Sequence, residues 1–192
     1  MPPKAKFSKE EIIDAAFKIT CRDGFDALTA RSLAAELGSS PRPIFTVFNG
    51  MEEVQNEVKA AATKLYEQYE DEEMSGEKAF KGSGTGYIRF AAEQPKLFQL
   101  LFMKERENVP NLDSILSVID NYYYKILGTV ESEYGFTTET AKRIYLHMWL
   151  YSHGIASLIA TKVCNFTQDD ISEMLNDVGA GIIRKYKAEG RK

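Results

Sequence analysis

The sequence lacks a long hydrophobic run, which excludes a simple membrane-spanning protein. No apolar stretch approaches the roughly 18 residues that a transmembrane helix needs. The opening residues, MPPKAKFSKEE, also lack the apolar segment of a secretory signal. We therefore expect a cytoplasmic protein that has no membrane partner.

Cysteine and histidine are scarce. Cys21 and Cys164 each stand alone within a helical pattern, which favours reduced core thiols over a disulfide. His147 and His153 are six residues apart, so they do not share a helix face at metal-ligand spacing, and no HExxH motif is present. No nucleophile elbow of the G-x-S-x-G type is present either. The sequence therefore predicts no catalytic residues, no metal site, no cofactor and no enzymatic activity.

Basic residues show no overall excess, since the formal net charge is −4. Residues 1–50 carry seven Lys/Arg against six Asp/Glu, whereas residues 51–192 carry seventeen against twenty-two. Lys4, Lys6 and Lys9 precede the first predicted helix, where they either meet phosphates or form a solvated tail. Residues 1–50 are therefore nearly neutral and residues 51–192 are acidic, so the N-terminal part is the better candidate for contact with nucleic acid.

Two short helical patterns joined by a turn lie between Gly24 and Val54. Thr29 is suited to cap the first helix, whose apolar positions 30, 33, 34 and 37 share one face, and Gly38 is suited to end it. Pro41 is suited to begin a second helix over 41–48. We expect that helix to turn three side chains inward and three outward, respectively Ile44, Phe45 and Phe48, and Arg42, Pro43 and Thr46. Such a pair of helices is typical of a helix-turn-helix that places its second helix in the DNA major groove.

These residues resemble the N-terminal domain of the TetR family of bacterial transcriptional regulators. The resemblance covers about the first quarter of the chain without gaps and rests on IIDAAF at 12–17, GF at 24–25, LTARSLA at 28–34, LGSS at 37–40 and IFTVF at 44–48. It implies a DNA-binding domain over 1–50 and a ligand-binding and dimerisation domain over 51–192.

The resemblance also implies which residues contact double-stranded DNA. Thr29 and Arg31 would meet phosphates, and Arg42 would specify a base, because a guanidinium can bind both acceptors of a guanine edge. The remaining groove residues would be Ser39, Ser40, Pro43, Phe45 and Thr46. The chain departs from the family at three positions, with phenylalanine at 45 for the usual tyrosine, valine at 47 for an aromatic or histidine, and methionine at 51 for a phosphate-binding lysine. The lost phosphate contacts predict a lower affinity and a flatter salt dependence.

The rest of the chain shows helical periodicity and no sustained alternation of the strand type. We expect an all-α fold of about nine helices, with a first helix from Lys9 to Gly24, a fourth over about 51–69, an acidic loop at 70–76, two helices divided by Pro95, one helix of about six turns over 112–130, and two long helices over about 138–163 and 168–187. Alternate glycines at 82, 84 and 86 lack the strand and the Lys-Ser/Thr ending of a phosphate loop. They favour close packing at the start of a helix, or else a fray or bend in it.

The last two helices carry long apolar stripes, and the first of them also carries small residues that permit close approach. Both stripes either belong to the core of one chain or pair with a second copy as a four-helix bundle. We expect a homodimer through these two helices, because a helix-turn-helix head needs a partner to read a palindromic site.

Trp149, His153 and Gly154 in MWLYSHGIASL, with the upstream QPKLFQLLF at 94–102, resemble the body of the TetR subgroup that carries a Trp and a His-Gly on its penultimate helix. This implies a body that binds a small-molecule effector, which alters the spacing of the two heads. Six residues are candidates to line that pocket or are ordinary core, namely Phe90, Phe98, Phe102, Tyr123, Trp149 and His153.

Taken together, the patterns predict a ligand-responsive regulator, a repressor that binds a palindromic operator as a homodimer and is released by its effector. The departures at Val47 and Met51 keep a second interpretation open. In that interpretation the chain is a dimeric helical module that binds a small molecule or a protein and has a weakened DNA-binding head.

Overall fold

The computed structural model describes residues 6–76 and 78–190, and within them the fold is all-α, as predicted. Nine α-helices follow one another along this part of the chain: α1 Lys9–Asp23, α2 Ala30–Glu36, α3 Met51–Met74, α4 Ala79–Glu93, α5 Pro95–Phe102, α6 Ile115–Ile119, α7 Tyr123–Tyr134, α8 Thr138–Ala160 and α9 Gln168–Glu189. Short 3-10 turns occupy Phe25–Ala27 and Ile44–Thr46. None of the described helices is long and apolar enough to cross a membrane.

The helices form two compact units. The first contains the described residues up to Glu67 together with Gln94–Lys104, so it holds α1, α2, most of α3, and α5. The second contains Gln68–Glu93 and the described residues from Glu105 onward. The sequence predicts a division of the chain by function, into a DNA-binding domain over 1–50 and a ligand-binding and dimerisation domain over 51–192. That division stays a prediction.

The helix ends follow the capping signals that the sequence carries. Ser8 begins α1 with a capping box, since its side chain accepts from the Glu11 N–H while the Glu11 carboxylate accepts from the Ser8 N–H. Thr137 caps α8 and Thr167 caps α9, as the sequence predicts, each through a side chain that accepts a hydrogen bond from the backbone N–H three residues later. The predicted starts of these three helices are therefore confirmed.

The acidic segment that was expected to be a loop is helical as far as Met74, so this prediction was wrong. Carboxylates in the last turn of a helix oppose its dipole. Arg89 of α4 offsets that cost, because its guanidinium pairs with Glu72 and lies 2.6 Å from Glu73 Oε1. The same guanidinium lies over the Tyr69 ring, 4.6 Å from its centroid. A long-range partner, which the local sequence does not reveal, therefore extends α3 by more than a turn.

The glycines at 82 and 86 allow α4 to pack closely on the end of α3, as predicted. A Cβ on Gly82 would lie 2.1 Å from the Glu73 carbonyl oxygen, and one on Gly86 would lie 2.9 Å from the Tyr69 carbonyl oxygen. Gly84 lies on the opposite side of α4, facing α8, where an added Cβ would lie 3.3 Å from Ser152 Oγ. Side chains at 82 and 86 would hold the two backbones apart.

The predicted six-turn helix over 112–130 is interrupted, which corrects the sequence-based expectation. Asp120 takes an extended conformation between α6 and α7. Its carboxylate accepts from the Tyr122 N–H at 2.8 Å and from the Tyr145 hydroxyl. An aspartate that binds the backbone two residues ahead competes with the helical hydrogen bond, and apolar periodicity does not detect this break.

A hydrophobic cluster fills the centre of the second unit. Its fully buried members come from α7 and α8, and the cluster comprises Met74, Phe80, Leu116, Tyr123, Ile126, Leu127, Val130, Ala141, Ile144 and Tyr145. Ile182 and Tyr186 of α9 pack against it. The apolar stripe of α9 therefore serves the core of its own chain.

Both cysteines are free thiols, but only one resembles a core residue. Cys21 is half-buried in α1, and burial raises the pKa of its thiol. Cys164 is exposed in the loop that joins α8 to α9, so its predicted place in a helix core was wrong.

Candidate functional site

The helix-turn-helix is held by a small apolar core in the first unit. Ile12 of α1, Leu33 of α2, and Ile44 and Phe48 of the following segment are at most 1% exposed. Thr29 caps α2 through its hydroxyl, which accepts from the Ser32 N–H at 3.1 Å. Ile44 and Phe48 anchor the two ends of the segment 44–48 in this core. The exposed residues next to them are therefore held in a defined position on the surface.

The expected second helix over 41–48 is not a regular α-helix. The described backbone forms the 3-10 turn Ile44–Thr46 there, flanked by hydrogen bonds from the Ile44 N–H to the Pro41 carbonyl and from the Phe48 N–H to the Ile44 carbonyl. Pro41 and Pro43 have no N–H to donate, and a proline disfavours the helical conformation of the residue before it, here Arg42. Thr46 adds a local bond, since its hydroxyl donates to the Pro43 carbonyl at 2.7 Å. The element that corresponds to a recognition helix is therefore a compact turn.

The structure leaves most of the predicted DNA-contacting side chains facing solvent. Thr29, Arg31, Ser40, Arg42, Phe45 and Thr46 are exposed, and Ser39 and Pro43 are half-buried. Phe45 was expected to point inward, but 45% of its surface is exposed, so that orientation was wrong. Thr29 already uses its N–H and hydroxyl within the α2 cap. DNA contact by these eight residues stays a prediction.

One lysine of the N-terminal segment contacts the residues that follow α2. Lys6 Nζ donates to Ser39 Oγ at 3.2 Å, a contact that sequence reasoning did not identify. Lys9 pairs with Glu57 of α3, and this hydrogen bond is the main reason that the pKa of Lys9 is raised. Lys4 lies outside the described residues. Of the two described lysines, Lys6 is the one that contacts a candidate groove residue.

Two departures from the family pattern lie at the end of this segment. Val47 and Met51 are both half-buried, at the C-terminal side of the turn and at the start of α3. Neither side chain can donate a hydrogen bond to phosphate. The segment therefore depends on Arg31, Arg42 and Lys6 for positive charge.

A hydrogen-bonded pair of polar side chains lies inside the second unit, where α4 packs against α8. Tyr87 Oη and His153 Nδ1 are 2.9 Å apart, and Trp149 stacks on His153 with ring centroids separated by 5.0 Å. Burial lowers the pKa of His153, so its ring is neutral near pH 7. Burial, together with Asp120 and Glu70, raises the pKa of Tyr87 well above its usual value. A protonated phenol can then donate to the neutral ring.

A second polar pair lies in the same unit. Burial raises the pKa of Asp120, although hydrogen bonds from Tyr145 and the Tyr122 N–H oppose this shift. Burial and the neighbouring carboxyl groups of Asp120 and Glu70 raise the pKa of Tyr145 well above its usual value. Glu70 itself is fully buried. This interior is acidic, and a further negative charge would be unfavourable in it.

The six candidate pocket residues do not fall in one unit. Phe98 and Phe102 belong to the first unit, where their rings lie 5.2 Å apart and Phe102 meets Tyr66 edge-on. The other four, Phe90, Tyr123, Trp149 and His153, belong to the second unit. Phe90 is fully buried against Tyr69, and Tyr123 stacks on Tyr145. Sequence reasoning missed Tyr87, Asp120 and Tyr145, whose helical spacing does not distinguish them from ordinary core.

Comparison with known proteins gives the family. The sequence model described as "Tetracyclin repressor-like, C-terminal domain" matches residues 80–178, which is just over half of the chain. An uncharacterised HTH-type transcriptional regulator, YobS of Bacillus subtilis (strain 168), is 23% identical over 180 residues, covering 92% of this chain and 91% of the relative. The resemblance to the Trp/His-Gly subgroup stays a prediction. Because the family model matches just over half of the chain, the chain belongs to the TetR family of transcriptional regulators.

Proposed function

We propose that this regulator is a repressor that binds a palindromic operator in double-stranded DNA as a homodimer and releases it when a small-molecule effector binds the body. The observation that carries the proposal is the exposed turn at 41–46, which is anchored by the buried Ile44 and Phe48 and presented next to α2. Groove recognition requires solvent-facing side chains on a fixed scaffold, and Arg42, Phe45 and Thr46 of this turn are exposed. Such a repressor acts in the cytoplasm.

The turn would enter the major groove with Arg42 as its base-reading residue. Arg42 is exposed, and no described ion pair occupies its guanidinium. Arg31 is exposed on α2, and Lys6 contacts Ser39 just before the turn. Both would bind phosphates, which position the protein without specifying sequence. The exposed ring of Phe45 would contact a thymine methyl or a sugar, because it lacks the hydroxyl that binds phosphate.

The effector site would lie in the second unit, between the pairs Tyr87–His153 and Asp120–Tyr145. Aromatic rings and a few polar groups are the usual lining of a small-molecule site. The buried carboxyl groups of Glu70 and Asp120 favour an effector that carries no negative charge. Of the predicted lining residues, we place Phe90, Tyr123, Trp149 and His153 here, and contact by Phe98 and Phe102 remains a separate prediction.

The homodimer would form through α8 and α9. Although α9 turns Ile171 and Leu175 into its own chain, α8 exposes Leu150 to 47% and Leu158 to 39%. Covering exposed leucines is a common source of association energy. Two heads related by a twofold axis would then match a palindromic operator.

An electrophoretic mobility shift with the DNA upstream of the protein's own gene tests the proposal. We expect retardation at low salt that survives excess competitor DNA of random sequence, because base contacts distinguish the two. An unrelated fragment of equal length is the control. If no fragment is retarded even at low salt, the chain is better described as a helical ligand-binding or protein-interaction module, the alternative that Val47 and Met51 favour.

A further inference from the structure

The outward face of α9 carries the small residue Ala180 near its middle and charges of opposite sign towards its two ends. The inward face is apolar, with Ile171 and Leu175 buried and Ile182 and Tyr186 packed on the core. At 100° per residue, the opposite side of the helix is a single stripe. Between positions 173 and 187 its residues are all exposed and are Glu173, Asp177, Ala180, Arg184 and Lys187.

Apart from Glu189 at its last position, α9 has its acidic and basic residues in separate parts of the helix. The charged residues between 168 and 177 are all acidic, those between 184 and 187 are all basic, and none lies between 178 and 183. The helix dipole explains acids in the first turn and bases in the last. It does not explain Glu173, Asp177 and Arg184, which lie outside those turns. The helix dipole therefore leaves the order of these three charges along the helix side unexplained.

The stripe is complementary to itself when two copies run antiparallel. Glu173 and Lys187 lie seven positions on either side of Ala180, and Asp177 and Arg184 lie three and four positions from it. A twofold axis at Ala180 therefore places each acid of one helix opposite a base of the other. Gly181, beside the axis, has open space around its built Cβ, so two helices can approach closely there.

We propose that this stripe is the self-recognition surface of the dimer, in which Glu173 faces the partner's Lys187 and Asp177 faces the partner's Arg184. The inference rests on the proposed homodimer. It adds how the two α9 helices are aligned with one another and which partner chains are accepted. Exposed ion pairs contribute little affinity individually. Like charges placed opposite one another are clearly unfavourable. Other registers, and relatives without this charge order, are therefore rejected mainly by repulsion.

Charge reversal on each half separately, and then on both, tests this surface. The first variant carries Glu173→Lys and Asp177→Lys, and the second carries Arg184→Glu and Lys187→Glu. Each variant alone would face like charges in its mate, so we expect its dimer dissociation constant to rise by about tenfold or more. An equal mixture should restore a heterodimer, because the two reversed halves then attract. Sedimentation equilibrium gives the constants, and native mass spectrometry of differently tagged chains identifies the heterodimer.

A matched control carries Glu10→Lys and Asp14→Lys, which makes the same charge change at the same spacing on exposed positions of α1. This control should dimerise as the wild type does. A wild type that is monomeric at every concentration overturns the proposed homodimer itself. A wild-type dimer whose two variants dimerise equally well, or whose variants do not combine in the mixture, overturns only the charge register.

Circular dichroism shows whether the reversed variants fold. If either does not fold, the milder variant Glu173→Gln with Asp177→Asn replaces it. The test then compares how the dimer dissociation constants of the wild type and of this neutral variant depend on salt. The wild-type dissociation constant should rise as sodium chloride is added, and that of the neutral variant should rise less. Equal salt dependence of the two proteins contradicts the inference.

Discussion

Replacing Gly82 by alanine is expected to lower the free energy of unfolding by about 3 kcal/mol, a typical upper value for overpacking. The added Cβ would lie 2.1 Å from the Glu73 carbonyl oxygen and 2.7 Å from its carbonyl carbon. These are backbone atoms, so α4 has to move away from the end of α3. That movement also weakens the contact between Arg89 and Glu73. Urea denaturation followed by circular dichroism, at one fixed protein concentration, measures the change.

Gly128→Ala is the matched control, because Gly128 also lies within a helix. Its built Cβ meets no atom within 4 Å, and its surface is exposed. Alanine should therefore stabilise the protein here by about 0.5–1 kcal/mol through its higher helix propensity. If the two substitutions give the same stability, α4 does not approach α3 as closely as described.

Replacing Arg42 by alanine is expected to weaken binding to the operator by about 1–3 kcal/mol, the contribution of a bidentate contact with guanine. The loss should be much smaller on DNA of random sequence, since a base contact adds specificity and a phosphate contact does not. Fluorescence anisotropy at one salt concentration, with operator and random duplexes of equal length, compares the two losses.

Two further variants separate charge from geometry. Arg42→Lys keeps the positive charge but loses the planar fork, so it should retain binding to random DNA and still lose operator preference. Arg143→Ala in α8 removes an exposed arginine from the body and should change neither affinity. Equal losses on both duplexes for Arg42→Ala would reassign Arg42 to phosphate binding.

The sequence predicted the elements whose signals are local. Ser8, Thr137 and Thr167 each begin a helix through a hydrogen bond to a nearby N–H, and the structure shows all three caps. The apolar stripe of α3 is likewise local, and its Val54 and Val58 are fully buried. For such elements the neighbouring residues contain nearly all the information.

The errors occur where a distant residue or a local backbone bond decides the outcome. Arg89 extends α3 beyond its apolar stripe, and the Asp120 carboxylate interrupts the predicted helix over 112–130. Pro41 and Pro43 remove two N–H donors from the segment in which the short 3-10 turn Ile44–Thr46 replaces the expected recognition helix. The interior pair Tyr145–Asp120 joins residues 25 positions apart. Helical spacing alone does not distinguish such a tyrosine from one that packs in an apolar core.

The most direct test of the central claim is the selection of DNA from a random library by the full-length protein, followed by sequencing. The claim is that the turn at 41–46, presented twice by a symmetric dimer, reads a specific site. We expect enrichment of one motif with two inverted half-sites, and loss of that enrichment in the variant that carries Arg42→Ala and Phe45→Ala. A selection that enriches no motif, or a motif that this variant enriches equally, would contradict the claim.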